Sequence, residues 1–292
     1  MSATQLRLFK HLIMELLAYR AEGRVPEPDL VMDDPHQAEA FMLAGRENGV
    51  VAPTYLFHSL QISRLISHGD QVLDLACGPA NQLAQIARIH PDANFIGLDA
   101  SPEMLKRANS NVSRFGLRNV QFRTGHIQDL GEFPDNSTDL VISTMSLHHL
   151  PDLKALGRTF REAARVLRPD GGLYLADFSR LKREATRRFF AEKDQDQQPD
   201  EFTKDYLNSL LAAFTSRELR DAMGVFGLGT RFNATAFVPF MVVIHKGVQY
   251  PILPSVRSEC RAIYKRLNSR QKTDFRRLKS FFLLGGLSTP HF

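Results

Sequence analysis

The chain has 292 residues, enough for one α/β domain with terminal additions but few for two full-sized domains. Apolar residues make up 43% and charged residues 24%, as in ordinary globular proteins. The longest apolar stretches, such as residues 237–244, are far shorter than the ~20 residues that span a bilayer, and the N-terminus lacks a secretory signal pattern. Cys77 and Cys260 are too few for a disulfide framework or a zinc site. We therefore expect a cytoplasmic protein without a bound metal.

The net charge of +5 is unevenly distributed. Residues 251–292 contain nine Lys or Arg and two acidic residues, a net charge of +7, so the first 250 residues carry −2. The basic character thus belongs to the C-terminal tail. The overall charge is therefore weak evidence for nucleic-acid binding, and we do not expect nucleic acid as a partner.

An N-terminal helical cap is predicted over residues 1–67. Residues 4–20 have the apolar periodicity of an amphipathic helix. Pro26 and Pro28 then make a stiff connection. Two further helical stretches follow, at residues 35–47 and 53–66.

From residue 71 the pattern changes to short apolar strands that alternate with helices. Strands separated by helices of this length form parallel βαβ units with right-handed crossovers. We therefore predict an α/β domain over residues 68–250, with a mostly parallel sheet and helices on both faces. The predicted strands are residues 71–75, 94–98, 120–124, 140–144 and 172–177, and the predicted helices are residues 81–89, 102–115 and 153–167.

The last third of the chain adds three pieces to this domain. A polar insertion at about residues 180–225, with a helical region from residue 202, is in the usual position of a lid. Two closing strands are predicted at residues 230–237 and 240–245. Residues 251–292 form a basic amphipathic helical tail, which we expect to dock on the domain with its charges in water. In the alternatives, the tail lies on an anionic membrane surface or contacts nucleic acid.

The most informative segment is a strand that ends in small residues and passes directly into a helix. It reads Val-Leu-Asp-Leu-Ala-Cys-Gly-Pro-Ala over residues 72–80. Small side chains let the backbone approach a ligand closely, and a helix N-terminus presents free N–H groups to an anion. The alternative is a tight packing turn between strand and helix.

Two further strand ends favour the ligand interpretation. Asp99 ends the second strand, 21 positions after Gly78, where a carboxylate can bind a ribose diol. His126 and Ile127 follow the third strand, where they could flank an adenine ring. The strict Gly-x-Gly-x-x-Gly spacing of dinucleotide-binding proteins is absent, which argues against NAD.

Four segments in this order resemble the class I S-adenosylmethionine (SAM)-dependent methyltransferases, in particular the group that includes quinone-biosynthesis and other small-molecule methyltransferases. The resemblance implies a Rossmann-like, seven-stranded sheet whose last strand is antiparallel to the others, and SAM as the cofactor. Two alanines, Ala76 and Ala80, stand where the family pattern has glycine. The four segments are VLDLACGPA, IGLDAS, TDLVISTMSLHHLPD and VLRPDGGLYLADF, at residues 72–80, 96–101, 138–152 and 166–178.

The resemblance also implies a role for each matching residue. Asp74 would order the loop and bind the methionine amino group, and Gly78 would line the methionine moiety. Asp99 would bind the ribose hydroxyls, and Ser143 and Thr144 would face the sulfonium. The complete cofactor-binding set that it implies is Asp74, Ala76, Gly78, Asp99, Ala100, Met104, His126, Ile127, Ser143 and Thr144.

Two histidines follow the fourth strand, at positions that face the transferred methyl group. A histidine can deprotonate a phenol or an enol near neutral pH, and His149 is our candidate catalytic base, ahead of His148. In the alternative, the pair caps the next helix, for which Pro151 and Asp152 are a start signal. Asp177, after the fifth strand, either binds substrate or is a solvated strand end.

Absent motifs narrow the substrate class. The fourth strand lacks the Asn/Asp-Pro-Pro-aromatic run of amide- and adenine-nitrogen methylation, and neither cysteine lies where a cytosine-C5 nucleophile would. The paired acidic metal ligands of catechol-type enzymes are missing, since Ser143 occupies one expected place. By elimination, we expect methylation at an oxygen or carbon atom of a small apolar or aromatic molecule. The alternatives are a SAM-binding, non-catalytic regulatory protein and an RNA methyltransferase anchored by the tail.

Aromatic residues outside the sheet are candidates for the wall of a substrate pocket. For each of them, ordinary core packing is the favoured interpretation. They are Tyr55, Phe57, Phe189, Phe190, Phe202 and Tyr206.

Overall fold

The computed structural model describes residues 3–28 and 31–290. Its centre is a seven-stranded sheet in the order β3-β2-β1-β4-β5-β7-β6. Strand β7 is antiparallel to both of its neighbours, and the other pairs are parallel, which confirms the predicted class of fold. The strands are β1 (Gln71–Leu75), β2 (Asn94–Asp99), β3 (Val120–Thr124), β4 (Thr138–Thr144), β5 (Leu167–Phe178), β6 (Arg231–Ala234) and β7 (Met241–Lys246).

The helices pack on both faces of this sheet. Three short 3-10 segments lie between them, at Leu147–His149, Gln195–Gln197 and Met223–Phe226. In the described residues, none of the helices is both long and apolar enough to cross a membrane. The helices are α1 (Ala3–Leu17), α2 (Pro35–Ala44), α3 (Ala52–Ile62), α4 (Asn81–Ile89), α5 (Pro102–Arg114), α6 (Leu153–Val166), α7 (Glu184–Glu192), α8 (Asp200–Ala212), α9 (Ser216–Ala222), α10 (Pro254–Arg266) and α11 (Ser269–Leu284).

Successive side chains of the central strands enter two separate cores. In β1, Val72 joins the core formed with α3, α4, α10 and α11, whereas Leu73 and Leu75 join the core formed with α6. This alternation follows from the two-residue period of a strand. Because both faces are covered, these strands are continuous apolar runs rather than alternating ones. Phe160 of α6 is fully buried, and truncating it to alanine should cost about 3–5 kcal/mol.

The predicted helical tail consists of two helices, α10 and α11. Leu267 ends α10, and Asn268 starts α11 with a capping box in which its side chain accepts from the backbone N–H of Gln271. Phe282 of α11 is fully buried and stacks on Phe57 of α3, with ring centroids 5.1 Å apart. The docked arrangement of the tail is thus confirmed. Several of its apolar side chains, including Cys260, Ile263, Phe275 and Phe282, belong to the core.

Residues 18–28 run as an extended strap between α1 and α2. Arg24 anchors this strap, because its guanidinium donates to the backbone oxygens of Ala212 at 2.6 Å and Pro151 at 2.5 Å. It also donates to His148 O at 3.0 Å and lies 4.0 Å from the ring centroid of Phe214. The anchor holds the strap against the residues that follow β4.

Candidate active site

The loop after β1 is left-handed at three of its small residues. Ala76, Gly78 and Ala80 have φ angles of 58°, 54° and 56°, all in the left-handed region. Glycine adopts that region freely, whereas each alanine is strained there by ~1–2 kcal/mol. The three positions are those at which the methyltransferase pattern has glycine. The loop therefore keeps the family's conformation with two strained alanines in place of glycine.

Asp99, at the carboxyl end of β2, is bound by backbone N–H groups. Its Oδ2 accepts from Gly78 N at 2.7 Å and its Oδ1 from Ser101 N at 2.9 Å. Burial raises the pKa of Asp99, although these backbone hydrogen bonds partly oppose the shift. Burial and the nearby charge of Asp99 raise the pKa of Asp74 well above its usual value. Two buried carboxyl groups thus lie side by side at the ends of β1 and β2.

These strand ends line a first cavity, the cofactor cavity, with about 1040 Å³ of empty space. Its walls also include Tyr55 of α3 and Val31 and Met32 of the segment before α2. Nine residues of the cofactor-binding set line it, as their positions in the motifs predict: Asp74, Ala76, Gly78, Asp99, Ala100, Met104, His126, Ile127 and Thr144.

Ser143 does not line this cavity. Its side chain is fully buried, and its hydroxyl donates to Leu75 O at 2.7 Å. Alternation along β4 turns Ser143 into the sheet and Thr144 towards the cavity. Met145, with a φ of 58°, lines the cavity beyond Thr144. The expectation that Ser143 faces the bound cofactor is therefore corrected, because its side chain is turned away from the cavity that Thr144 and Met145 line.

Gln82, in the first turn of α4, was missed by the sequence analysis. Its side chain lines the cofactor cavity, and its buried Nε2 has no hydrogen-bond partner. A buried amide without a partner costs about 1–3 kcal/mol, so its place on the cavity wall suits a ligand with an acceptor group. The orphaned donor, the left-handed loop and the Asp99 carboxylate together fit the polar moieties of SAM.

A second cavity, the apolar cavity, adjoins the first and has about 1410 Å³ of empty space. Phe189, Phe190, Phe202 and Tyr206 all line it. Core packing, as expected, also holds for three of them: Phe202 belongs to a buried cluster, and Phe190 and Tyr206 pack against the core. They lie on α7 and α8, in the insertion between β5 and β6. Of the other two aromatics, Phe57 is in the core, as expected. The lining also includes a polar group at one side: Lys193, Asp194, Gln198, Asp274 and Arg277.

Phe41, Met145 and His149 line both cavities and form the neck between them. Phe41 comes from α2, Met145 from the end of β4 and His149 from the 3-10 segment that follows. The candidate base therefore lies where the two cavities meet. His148 lines only the apolar cavity.

Glu27 of the strap, also missed by the sequence analysis, binds both histidines. Its Oε2 is directly hydrogen-bonded to His149 Nδ1, and its Oε1 lies 4.0 Å from His148 Nε2. The same Oε1 accepts from Ser209 Oγ at 2.9 Å. No periodic pattern marks Glu27, since it lies in an extended segment between two prolines and 122 residues before His149.

Asp177 holds the other side of His148. Its Oδ1 is 2.7 Å from His148 Nδ1, and its Oδ2 accepts from the backbone N–H of His148 at 2.8 Å. Asp177 is buried, so it is not a solvated strand end, and it does not line either cavity. The next helix is capped by Asp152, which accepts from Ala155 N at 2.8 Å, and not by the histidine pair.

The charges in this cluster shift one another's pKa values. Burial alone would raise the pKa of Glu27, but the hydrogen bond and charge of His149 and the charge of His148 lower it to about 2. Burial alone would lower the pKa of His148, but the charge and hydrogen bond of Asp177 raise it to about 9. Burial and the charge of Glu27 raise the pKa of Asp205 to about 6. At neutral pH, Glu27 is thus an anion and His148 a cation.

Glu27, His148 and His149 are also the one group in residues 3–28 and 31–290 that could hold a metal ion, with one donor atom of each within 4.8 Å of the others. Here these donors bond within the protein: Glu27 with His149 and Ser209, and His148 with Asp177.

Comparisons with known proteins identify relatives of this chain. A family described as "Methyltransferase domain" matches residues 66–214, just over half of the chain. An arsenite methyltransferase of Aquipseudomonas alcaligenes is 34% identical over 51% of this chain and 40% of its own length. A demethylmenaquinone methyltransferase of Listeria monocytogenes is 37% identical over 39% of this chain and 47% of its own. The chain thus spans less than half the length of these curated relatives.

Solved structures share the fold at low identity. A SAM-dependent methyltransferase from Aquifex aeolicus superposes with a TM-score of 0.52 at 19% identity, over 74% of this chain and 98% of that one. The CurJ carbon methyltransferase superposes with a TM-score of 0.53 at 14% identity, over 74% and 61%. The chain belongs to the methyltransferase-domain family, and its fold is that of the SAM-dependent methyltransferase from Aquifex aeolicus.

Proposed function

We propose that the protein transfers a methyl group from SAM to an oxygen or carbon atom of a small apolar or aromatic molecule bound in the apolar cavity. The observation that carries this proposal is the neck, where the side chains of Phe41, Met145 and His149 line both cavities. A donor in the cofactor cavity can reach an acceptor in the apolar cavity only if the two adjoin. The lining of Phe189, Phe190, Phe202 and Tyr206 suits an apolar or aromatic acceptor.

The roles of the cofactor-cavity residues follow from their positions. When bound, SAM supplies a methyl group already activated on a sulfonium. Asp99 accepts hydrogen bonds from the ribose hydroxyls, and His126 and Ile127 border the adenine. Gly78 lets the backbone approach the methionine moiety, which Asp74 and the free amide of Gln82 bind. The protein's remaining task is to align the acceptor with the methyl group and exclude water.

His149 is the proposed catalytic base, acting on an acceptor that arrives protonated. When the imidazole of His149 donates its Nδ1–H to Glu27, Nε2 is the ring atom left to take a phenol or enol proton. Glu27 is a positioning residue that fixes this tautomer and stabilises the imidazolium that forms. Ser209 and the anchored strap in turn hold Glu27 in place.

The two alternatives have less support. A non-catalytic SAM-binding protein needs no apolar cavity beside the cofactor. Such a function would also not require the Glu27–His149 pair at the neck. An RNA methyltransferase would need an open, basic approach to the methyl group. The apolar cavity, which is the approach in this protein, is lined by several phenylalanines instead. The basic residues of the tail lie on helices α10 and α11, which dock against α3.

Methyl-labelled SAM tests the proposal. We would incubate the protein with deuterated-methyl SAM and a panel of phenols, hydroquinones and enolisable ketones, and detect labelled products by mass spectrometry. We expect at least one labelled product whose formation falls about 100-fold in His149→Gln and is unchanged in His68→Gln, an exposed histidine control. SAM binding without any product would favour the non-catalytic alternative, and salt-sensitive labelling of RNA alone would favour the RNA alternative.

A further inference from the structure

Helix α1 carries an apolar stripe that nothing in the described chain covers. Its side chains recur at spacings of three and four, so they share an arc of about 100° on one side of the helix. Four of them expose more than half of their surface, and Ile13 exposes 40%. Scattered exposed apolar residues need no explanation, but a contiguous stripe marks an interaction surface. The stripe consists of Leu6, Phe9, Ile13, Leu16 and Leu17.

The charges beside the stripe are all positive. Arg7, Lys10 and Arg20 are exposed on the same stretch. Its single acidic residue, Glu15, faces inward and is buried, where its carboxylate accepts from the backbone N–H groups of Lys182 and Arg183, both at 2.8 Å. Residues 6–20 therefore present an apolar stripe with cations and no exposed acid. Interfacial helices that lie on anionic lipid have this pattern.

The opposite side of α1 faces the apolar cavity. Leu8 and Leu12 line that cavity, together with Phe189 and Phe190 of α7, against which α1 packs. Helix α1 thus separates the cavity from the surroundings, with apolar side chains on both of its sides. A lipophilic molecule that passes along this helix meets little polar surface.

We propose that α1 docks flat on an anionic lipid bilayer surface, with its stripe inserted between the headgroups and the apolar cavity held next to the membrane. A second copy of the chain is the competing occupant, but pairing two such stripes would gather the exposed cations of both copies around one interface, with no exposed acid on residues 6–20 to balance them. Docking itself is independent of methyl transfer. Only the corollary, that the acceptor is a lipophilic molecule drawn from the bilayer, rests on the proposed function.

A tryptophan reporter tests where the protein meets the lipid. The chain has no tryptophan, so Phe9→Trp adds a single one to the stripe, and Leu228→Trp adds a matched one at a residue that is 98% exposed elsewhere. With phosphatidylcholine vesicles containing about 30% phosphatidylglycerol, we expect a blue-shifted emission for Phe9→Trp only. Equal shifts for the two variants, or none for Phe9→Trp, would overturn the proposal.

A stripe variant supplies the second arm. We expect Leu6→Ser/Phe9→Ser/Leu17→Ser to bind the same vesicles at least tenfold more weakly than wild type, and Leu228→Ser/Val248→Ser/Leu253→Ser to bind as wild type does. All six side chains are exposed, and calorimetric SAM titration checks that each variant keeps its cofactor cavity. Equal binding by the stripe variant would overturn docking, as would a wild-type dimer that this variant dissociates. Loss of SAM binding in wild type would instead count against the proposed function.

Discussion

The two cavities that meet at His149 are built in different ways. The polar one lies at the carboxyl ends of adjacent parallel strands, and most of its lining comes from one stretch, residues 74–151. The apolar one collects side chains from α1, α2, α7, α8, α11 and the turn before β7, which are far apart in the chain. A cofactor site that binds the same molecule throughout a family depends on the backbone geometry at the strand ends. An acceptor pocket can instead be altered by changing the helices and loops added around the sheet.

The largest expected effect lies on the polar side. Asp99→Ala removes a carboxylate that can accept from two ribose hydroxyls, each such charged hydrogen bond contributing about 1.5–3 kcal/mol. We expect SAM to bind at least 100-fold more weakly, as measured by calorimetric titration. A control variant, Asp92→Ala, changes an exposed acid in the loop before β2 and should bind normally. Equal affinities for the two variants would contradict the assignment of Asp99.

The next effect concerns the pH dependence of the protein's stability, to which the buried His148–Asp177 pair contributes. The pKa of His148 in the folded protein is raised to about 9, so its stabilisation is complete below the unfolded pKa of about 6.5 and is lost as pH rises through 9. We expect the free energy of unfolding to fall by about 3 kcal/mol between pH 6.5 and 9. Urea titrations of His148→Asn should show a flatter dependence over that window. An equally steep fall in the variant would contradict the His148–Asp177 pairing.

A somewhat smaller effect is expected for Glu27, which acts through His149. Glu27→Gln should lower kcat about 100-fold, since correct proton transfer contributes at least that much, while the affinity for SAM stays unchanged. The acid limb of the pH–rate profile should also move, which a purely structural role would not cause. Glu132→Gln, an exposed control, should leave both quantities as in wild type. If chelators abolished activity and Zn²⁺ or Mn²⁺ restored it, Glu27 would act as a metal ligand instead.

A substitution in the wall of the apolar cavity should have a milder effect, confined to the KM for the acceptor. Phe190 stacks on Phe240 with ring centroids 4.1 Å apart, and both line the apolar cavity. Phe190→Ala should raise the KM for the acceptor up to about tenfold, because a lost aromatic contact costs about 0.5–1.5 kcal/mol, and it should leave SAM binding unchanged. A variant that loses affinity for SAM and acceptor alike would show that the cavities are not separable.

The smallest effect tests the strained cofactor loop. Ala76→Gly should stabilise the protein by about 0.5–1 kcal/mol, because glycine adopts the left-handed conformation without a clash. Ala185→Gly, at an exposed helical position, should lower stability by a similar amount. Urea denaturation measures both changes. A loss of stability in Ala76→Gly would mean that the alanine is not strained.

The comparison also explains what the sequence could predict. The parallel strands, Asp99 and the left-handed loop follow from local patterns, because strand ends place their residues at one edge of the sheet. Thr144 and Ser143 were harder to separate, since one residue of register decides which of them faces the cavity. Glu27 and Gln82 left no signal, because their roles depend on contacts between distant segments.

Helix α1 and the tail illustrate the same limit. Both show amphipathic periodicity, yet Phe282 of the tail is buried and Phe9 of α1 is exposed. Periodicity predicts that a helix has an apolar side, but not which surface covers it. That answer depends on tertiary packing, or for α1, as we propose, on a partner outside the chain.

A structure of the complex with S-adenosylhomocysteine would show whether the neck joins a donor site to an acceptor site. We expect the ribose hydroxyls to contact Asp99 and the sulfur to lie in the neck beside Met145 and His149, facing the apolar cavity. A ligand bound in the cofactor cavity with its sulfur turned away from the neck, or with the neck closed between the cavities, would contradict this expectation.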